Sequence, residues 1–385
     1  MERGRVFATG LTISLVGFCG TSSVVLAGLQ SAGATPGQAA SGLAALCLVH
    51  GLAMWWMAQR TRMPVALAWS LPGVALLAAG SVPDGGWPAA VGAFLVTGVL
   101  IILTGLWPTL GRLVSSIPAP IAQAMLAGVL VPLCLAPVSG VIEEPLLVVP
   151  ILVIWLLLMR LAPRWAAPAA FLVGIVLLIV LVLRSGEQAG PLLPTLEPVM
   201  PAFSWSALIG ITVPLYIVTM ASQNVPGVAI LSSYGYTAPW RHTMSVTGLG
   251  TVIAAPFGGH AINFAAVTQA MGASADAHSD PGQRWRAVRA AGLVQVGLAA
   301  SATALTTLVA VAPAVLAAVA GLALLPSLAS SLSASMKASE PGLREAAVVT
   351  FVVAVSGVTV FDIGAAFWAL LAGLAVYAAL RIGRR

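Results

Sequence analysis

The sequence predicts an all-α polytopic membrane protein of about 14 transmembrane segments, arranged as two halves of seven that form an inverted repeat. Three observations carry this expectation. Mean hydropathy is +1.03 with only 7% charged residues, against about 25% in soluble domains. Lys and Arg recur in every second gap between apolar runs. Two polar interruptions, residues 64–73 (PVALAWSLPG) and 256–263 (PFGGHAIN), lie about half a chain apart.

A bilayer-spanning helix needs roughly 17–25 apolar residues, and the runs are read on that scale. The first seven fall near 6–29, 37–58, 64–80, 87–107, 116–136, 145–160 and 165–183. The longest polar connection, 184–201, follows. The second seven fall near 204–223, 243–255, 256–274, 287–306, 308–329, 345–360 and 363–380. The first run, behind Arg3 and Arg5, resembles a signal peptide but exceeds a signal core of about 7–15 residues, so a membrane helix is expected. Two short segments abut near 243–274.

Charge placement tests the count. With the N-terminus in the cytoplasm, alternating sides puts Arg60, Arg62, Arg112, Arg160, Arg164, Arg241, Arg284, Arg286, Arg289, Lys337, Arg344 and the C-terminal arginines inside. Only Arg184 falls outside, as the positive-inside rule requires of such a topology. Asp84, Glu143, Glu144, Glu187, Glu197 and Asp362 mark outer gaps, Asp362 at the turn between spans 13 and 14. Both termini are therefore expected in the cytoplasm. Seven spans per half make the halves, 1–186 and 187–385, opposite in orientation. That arrangement suits alternating access, with the binding site at paired broken helices.

The first interruption reads as an extended stretch feeding a half-helix from about Leu71 to Gly80. Pro64 and Pro72 oppose a continuous helix, while Ser70 is a good N-cap. A second half-helix is expected to follow Asn263 and end near Gly272. Helix starts at mid-membrane offer N–H groups and a positive dipole end to an anion, so Ser70, Leu71, Gly73, Gly259, His260 and Asn263 are expected to bind substrate. Pro-kinked helices without a ligand role are the alternative.

Acidic residues are absent from span interiors, which disfavours an amine or metal-cation cargo and leaves a monovalent anion. His260, beside Gly258-Gly259, is the candidate proton carrier, with a buried structural imidazole as the even alternative. His50, in span 2 near Trp55 and Trp56, reads as structural; His242 and His278 lie in connections. Ser222-Gln223-Asn224, ending span 8 before Pro226-Gly227, puts amides at membrane depth. They bond either to other helices or to substrate, and Gln223 and Asn224 are counted as substrate contacts. Thr21, Ser22 and Ser23 are weaker candidates because such hydroxyls bond back to their own helix; Thr21 and Ser22 are kept as contacts.

Cys19, Cys47 and Cys134 stand singly in apolar runs, so neither a metal site nor a disulfide is expected. No cofactor is expected. No basic run interleaved with aromatics points to nucleic acid. Neither HExxH, GxSxG nor clustered carboxylates suggest an enzyme.

The stretches 21–38, 61–78, 214–231, 245–272 and 355–374, and above all SQNVPGVA and APFGGHAIN, resemble the bacterial benzoate:proton symporter family, BenE. The resemblance implies inward transport of benzoate or a related aromatic carboxylate with a proton, across a bacterial inner membrane. It also implies the seven-plus-seven fold of uracil permeases and sulfate or bicarbonate transporters, with spans 3 and 10 as strand-plus-half-helix elements. A core domain (about 6–107 and 204–306) would move against a gate domain (about 116–183 and 308–380). Nucleobase permeases of this fold use glutamates in spans 8 and 10, where this chain has Ser222-Gln223-Asn224 and 260–263 (HAIN). Transport of another small anion or a nucleobase, or uncoupled anion passage, are the readings left open. The expected partners are the substrate, the proton and the bilayer, and the assembly considered is a homodimer.

Overall fold

A computed structural model describes residues 2–107, 109–110, 117–185, 194–337, 340–361 and 363–382. Arg112, Glu187, Asp362, Arg384 and Arg385, used above in the topology, lie outside the described residues. In chain order the first half contains α1 (Glu2–Ser31), α2 (Pro36–Thr61), β1 (Leu67–Trp69), α3 (Leu71–Ala78), α4 (Gly86–Leu106), α5 (Ala119–Glu143), α6 (Pro145–Leu161) and α7 (Pro163–Ser185). The second contains α8 (Trp205–Ser233), α9 (Trp240–Ala254), β2 (Ile262–Phe264), α10 (Val267–Ala273), α11 (Trp285–Leu298, continued by a 3₁₀ turn into Ala302–Val311), α12 (Pro313–Met336), α13 (Leu343–Val355) and α14 (Ala365–Ile382).

Among the described residues, α1, α2, α4, α5, α7, α8, α11 and α12 are long and apolar enough to cross a bilayer; α6 and α14 are shorter apolar helices. The outward faces are apolar too. Ile142, Leu146, Leu156 and Leu183 are largely exposed, far more apolar surface than a water-soluble protein leaves uncovered. α2 packs along α11, α4 along α9, α5 along α12 and α13, α13 against α14, and α6 against α7.

Local chemistry explains the helix ends. Pro36 opens α2 where its missing N–H costs nothing, and Thr35 and Gln38 close a reciprocal capping box. Ser70 caps α3 through Gly73 N–H, as its sequence signature predicts.

One sequence boundary is corrected. The eighth span does not end at Asn224; the helix runs on to Ser233, through Pro226. It does so with two π turns, Leu208–Thr212 and Met220–Asn224, in which Val213 N–H bonds Leu208 O and Val225 N–H bonds Met220 O. Pro214 and Pro226 each follow a widened turn. A proline ring collides with the carbonyl four residues back and offers it no N–H, and the wider turn accommodates that defect.

At the centre, β1 and β2 pair antiparallel, with Leu67 opposite Phe264, Ala68 opposite Asn263 and Trp69 opposite Ile262. Two isolated strands inside a bilayer leave outward N–H groups that neither water nor lipid can satisfy. Side chains meet them. Asn224 Oδ1 accepts from Phe264 N–H at 2.9 Å and Thr251 Oγ1 from Ile262 N–H at 2.9 Å. Gln269 accepts from Ala66 N–H and donates to Pro64 O. The connection between the halves is tied down separately, as Val199 N–H bonds Pro256 O and Ala202 N–H bonds Pro88 O.

Candidate functional site

A cavity of about 230 Å³ lies beside the two strands. α1 lines it with Ile13, Ser14, Val16, Gly17, Gly20 and Thr21, and α2 with His50 and Met54. Leu67, Ala68, Trp69 and Leu71 come from β1 and the start of α3, and Ala265, Ala266 and Thr268 from the start of α10. Gln223 of α8 and Gln295 of α11 contribute amides. Arg164, Ala167 and Pro168 of α7, with Ala323, Pro326 and Ser327 of α12, close the far wall. Arg164 is exposed and stands at the mouth.

The lining is mostly apolar with a few placed polar groups, the usual composition of a small-molecule site. Trp69 is its best-fixed wall. Its indole N–H donates to Thr21 Oγ1 at 2.9 Å, and Thr21 donates in turn to Gly17 O. The His50 ring meets Trp69 edge-on, centroids 5.2 Å apart and planes at 89°. Nδ1 of His50 is 2.7 Å from Leu46 O; a carbonyl only accepts, so Nδ1 carries the hydrogen. Gln295 Nε2 donates to Cys47 Sγ at 3.3 Å.

The two half-helix starts are not equivalent. At α3, Ser70 Oγ takes Gly73 N–H and also bonds Thr219 Oγ1 at 2.7 Å, and Pro72 has no N–H to offer. At α10 no side chain caps the helix, and the long 3.3 Å bond from Ala266 N–H to Gln223 Oε1 is the closest substitute. The expected two-sided arrangement of donors is thus one-sided at the cavity: α10 presents its start, while α3 is closed by its own cap.

Of the ten substrate contacts expected from sequence, Thr21, Leu71 and Gln223 line the cavity. Ser70, Gly73, Asn224 and Asn263 lie behind it, fully buried, and knit α3, α8 and the strands together. Gly73 faces α8, where a Cβ would stand 2.3 Å from Leu215. Asn263 lies in β2 opposite Ala68, and the neighbouring Ser70 N–H donates to Ala261 O at 2.8 Å. Ser22 is buried in α1, its hydroxyl without a partner among the described residues. Gly259 and His260 sit on the other side of β2: Gly259 packs on Ala254, and the His260 ring is 6.5 Å from that of Phe94, with both nitrogens buried and without a partner among the described residues.

His50, Trp69, Gln295, Thr268 and Arg164 are lining residues that the sequence reading did not count as substrate contacts. For His50 a signal existed. Along α2, Cys47, His50, Met54 and Met57 recur at three- and four-residue steps and are all buried, whereas Trp55 and Trp56 are exposed. Helical spacing places His50 with the methionines, not with its tryptophan neighbours in sequence.

A family model for benzoate membrane transport proteins, BenE, matches residues 3–379. The chain belongs to the BenE family. It is 36% identical over 376 residues to inner membrane protein YdcO of Escherichia coli (strain K12), covering 97% of this chain and 95% of that one. It is 28% identical to the benzoate membrane transport protein of Acinetobacter baylyi, covering 96% and 93%. Among solved structures, the transmembrane domain of the cyanobacterial bicarbonate transporter BicA superposes with TM-score 0.64 at 16% identity, covering 97% of both chains. SLC26A9 superposes with TM-score 0.66 at 14% identity, covering 99% of this chain and 65% of its own. These likenesses show a seven-plus-seven inverted-repeat transporter fold, and the BenE chain is a multi-pass membrane transport protein, not an enzyme.

Proposed function

We propose that this BenE protein imports benzoate, or a closely related aromatic carboxylate, together with a proton. The observation that carries the reading is the chemistry of the cavity: apolar walls, an uncapped helix start, a guanidinium at the mouth, and no carboxylate among the described lining residues. The substrate carboxylate would sit at the first turn of α10, exchanging with Gln223 Oε1 for the Ala266 N–H. Its ring would lie against Trp69, Leu71 and Pro326. Two glutamates, as nucleobase permeases of this fold use, would repel such an anion; their absence favours the carboxylate.

Alternating access would follow from α1–α4 and α8–α11 moving as a core against α5–α7 and α12–α14 as a gate, because the cavity is walled by α1, α2, α8, α10 and α11 on one side and by α7 and α12 on the other. The test is uptake of labelled benzoate into proteoliposomes, with protein-free liposomes as background. Uptake concentrated by an inward proton gradient is expected, and competition by other aromatic acids but not by uracil or sulfate. Uptake that only equilibrates overturns symport; no uptake overturns the substrate.

A further inference from the structure

We infer that His50 carries the coupled proton, a residue assignment that rests on the benzoate:proton reading above. Among the described residues lining the cavity, His50 and Arg164 are the ionisable ones. Arg164 does not give up its proton in a protein. The other polar groups facing the cavity are Ser14 and Thr21 of α1, Gln223 of α8, Thr268 of α10, Gln295 of α11 and Ser327 of α12. None of them titrates in the physiological range. Cys47, one turn before His50 on α2, is engaged by Gln295.

The ring is oriented for this work. With Nδ1–H held by Leu46 O, neutral His50 has its lone pair on Nε2, a nitrogen without a protein partner among the described residues. Nε2 accepts a proton from water on the outer side, and loses it to water on the inner side after the substrate has left. On each side one N–H bond is exchanged for one O–H bond: the proton leaves hydronium for Nε2 outside, and leaves Nε2 for water inside. Coupling then follows from desolvation. A lone imidazolium or a lone carboxylate is costly in an apolar cavity, whereas the pair partly offsets both penalties. Arg164 at the mouth raises the cost of the imidazolium without its anion. Carriers that reorient easily are thus empty and neutral or loaded with both ions. Trp69 links the device to β1, the element the cavity shares with α3.

The experiment uses the full chain in proteoliposomes. The wild type must first concentrate benzoate, up to about tenfold for one proton at one pH unit; failure there removes the parent reading rather than this assignment. His50→Gln is then expected to reach an accumulation ratio of about one and to move no protons with benzoate, while labelled-for-unlabelled exchange continues at a rate lowered about tenfold or more, because its loaded carboxylate has no cation beside it. Gradient-driven accumulation by His50→Gln overturns the assignment. Should His50→Gln be inert, a triple variant decides: His242→Gln, His260→Gln and His278→Gln leave His50 as the sole histidine of the four in the chain. Accumulation by that variant supports His50, and exchange without accumulation assigns the proton elsewhere.

Discussion

Gly51 and Gly292 meet backbone to backbone where α2 crosses α11: a Cβ on Gly292 would stand 2.6 Å from Gly51 O, and one on Gly51 2.8 Å from Gly292 O. Gly98 and Gly248 repeat the contact where α4 crosses α9, at 2.9 and 2.7 Å. In an inverted repeat α2 corresponds to α9 and α4 to α11, so one crossing appears twice. The strands obey the same relation. Met54 of α2 accepts from Leu67 N–H, the first residue of β1, and Thr251 of α9 accepts from Ile262 N–H, the first residue of β2. Close glycine crossings are how membrane helices gain packing where lipid removes the hydrophobic drive.

Gly292→Ala should therefore destabilise the protein. Both neighbours of the new methyl, Gly51 O and Trp55 N at 2.7 Å, are backbone atoms and cannot swing aside. Overpacking of this kind costs about 1–3 kcal/mol. Thermal melting in detergent should show a clear drop, while Gly297→Ala, with open space around its Cα, should melt like the wild type. Equal melting of the two variants would contradict the crossing.

Asn224 is expected to matter through β2. Asn224→Leu leaves Phe264 N–H unpaired in the interior, a loss of about 1–3 kcal/mol, whereas Asn224→Asp keeps an acceptor at the same place. Melting and uptake should both fall for the leucine variant, and the aspartate variant should melt higher than it. If leucine melts as well as asparagine, the strand edge has another partner.

These two cases show what was legible. The broken spans could be read because proline, glycine and a serine cap act locally: α3 begins where Ser70 says it should. The antiparallel pairing that buries Asn263 and claims Asn224 joins residues far apart in sequence, and no local signal reports it. Continuation of α8 past Asn224 was hidden because Pro226 reads as a stop unless a π turn precedes it. His50 was read from its neighbours in number, whereas its neighbours on the helix face place it at the cavity wall. The His260 position looked central because it adjoins the break, but Gly258, with φ +91, turns the chain so that His260 faces Phe94 instead of the cavity.

Gln223→Glu should inhibit transport more than Gln223→Ala. The glutamate places a tethered carboxylate beside Ala266 N–H, the position proposed for the substrate's own, and adds a repelling charge. A rise in KM of tenfold or more is expected for glutamate; the alanine variant, which merely frees the N–H, should change KM by only a few-fold. Uptake kinetics at fixed proton gradient separate them, and a glutamate variant with unchanged KM would place the carboxylate elsewhere.

Arg164 offers the remaining lever, because it is the one permanent charge among the described lining residues and it stands exposed at the mouth. An exposed guanidinium acts on an approaching anion at a distance, so its effect belongs to the rate of entry and fades as salt shortens the screening length to about 3 Å near 1 M. Arg164→Gln should slow benzoate entry from that side several-fold at low ionic strength and approach the wild type at high salt, with Arg164→Lys intermediate at worst. Bidentate contact within the bound complex would behave differently: lysine would fail as badly as glutamine, and salt would not close the gap. Measuring exchange rates for the three proteins at low and high salt distinguishes attraction at the mouth from a contact in the bound state.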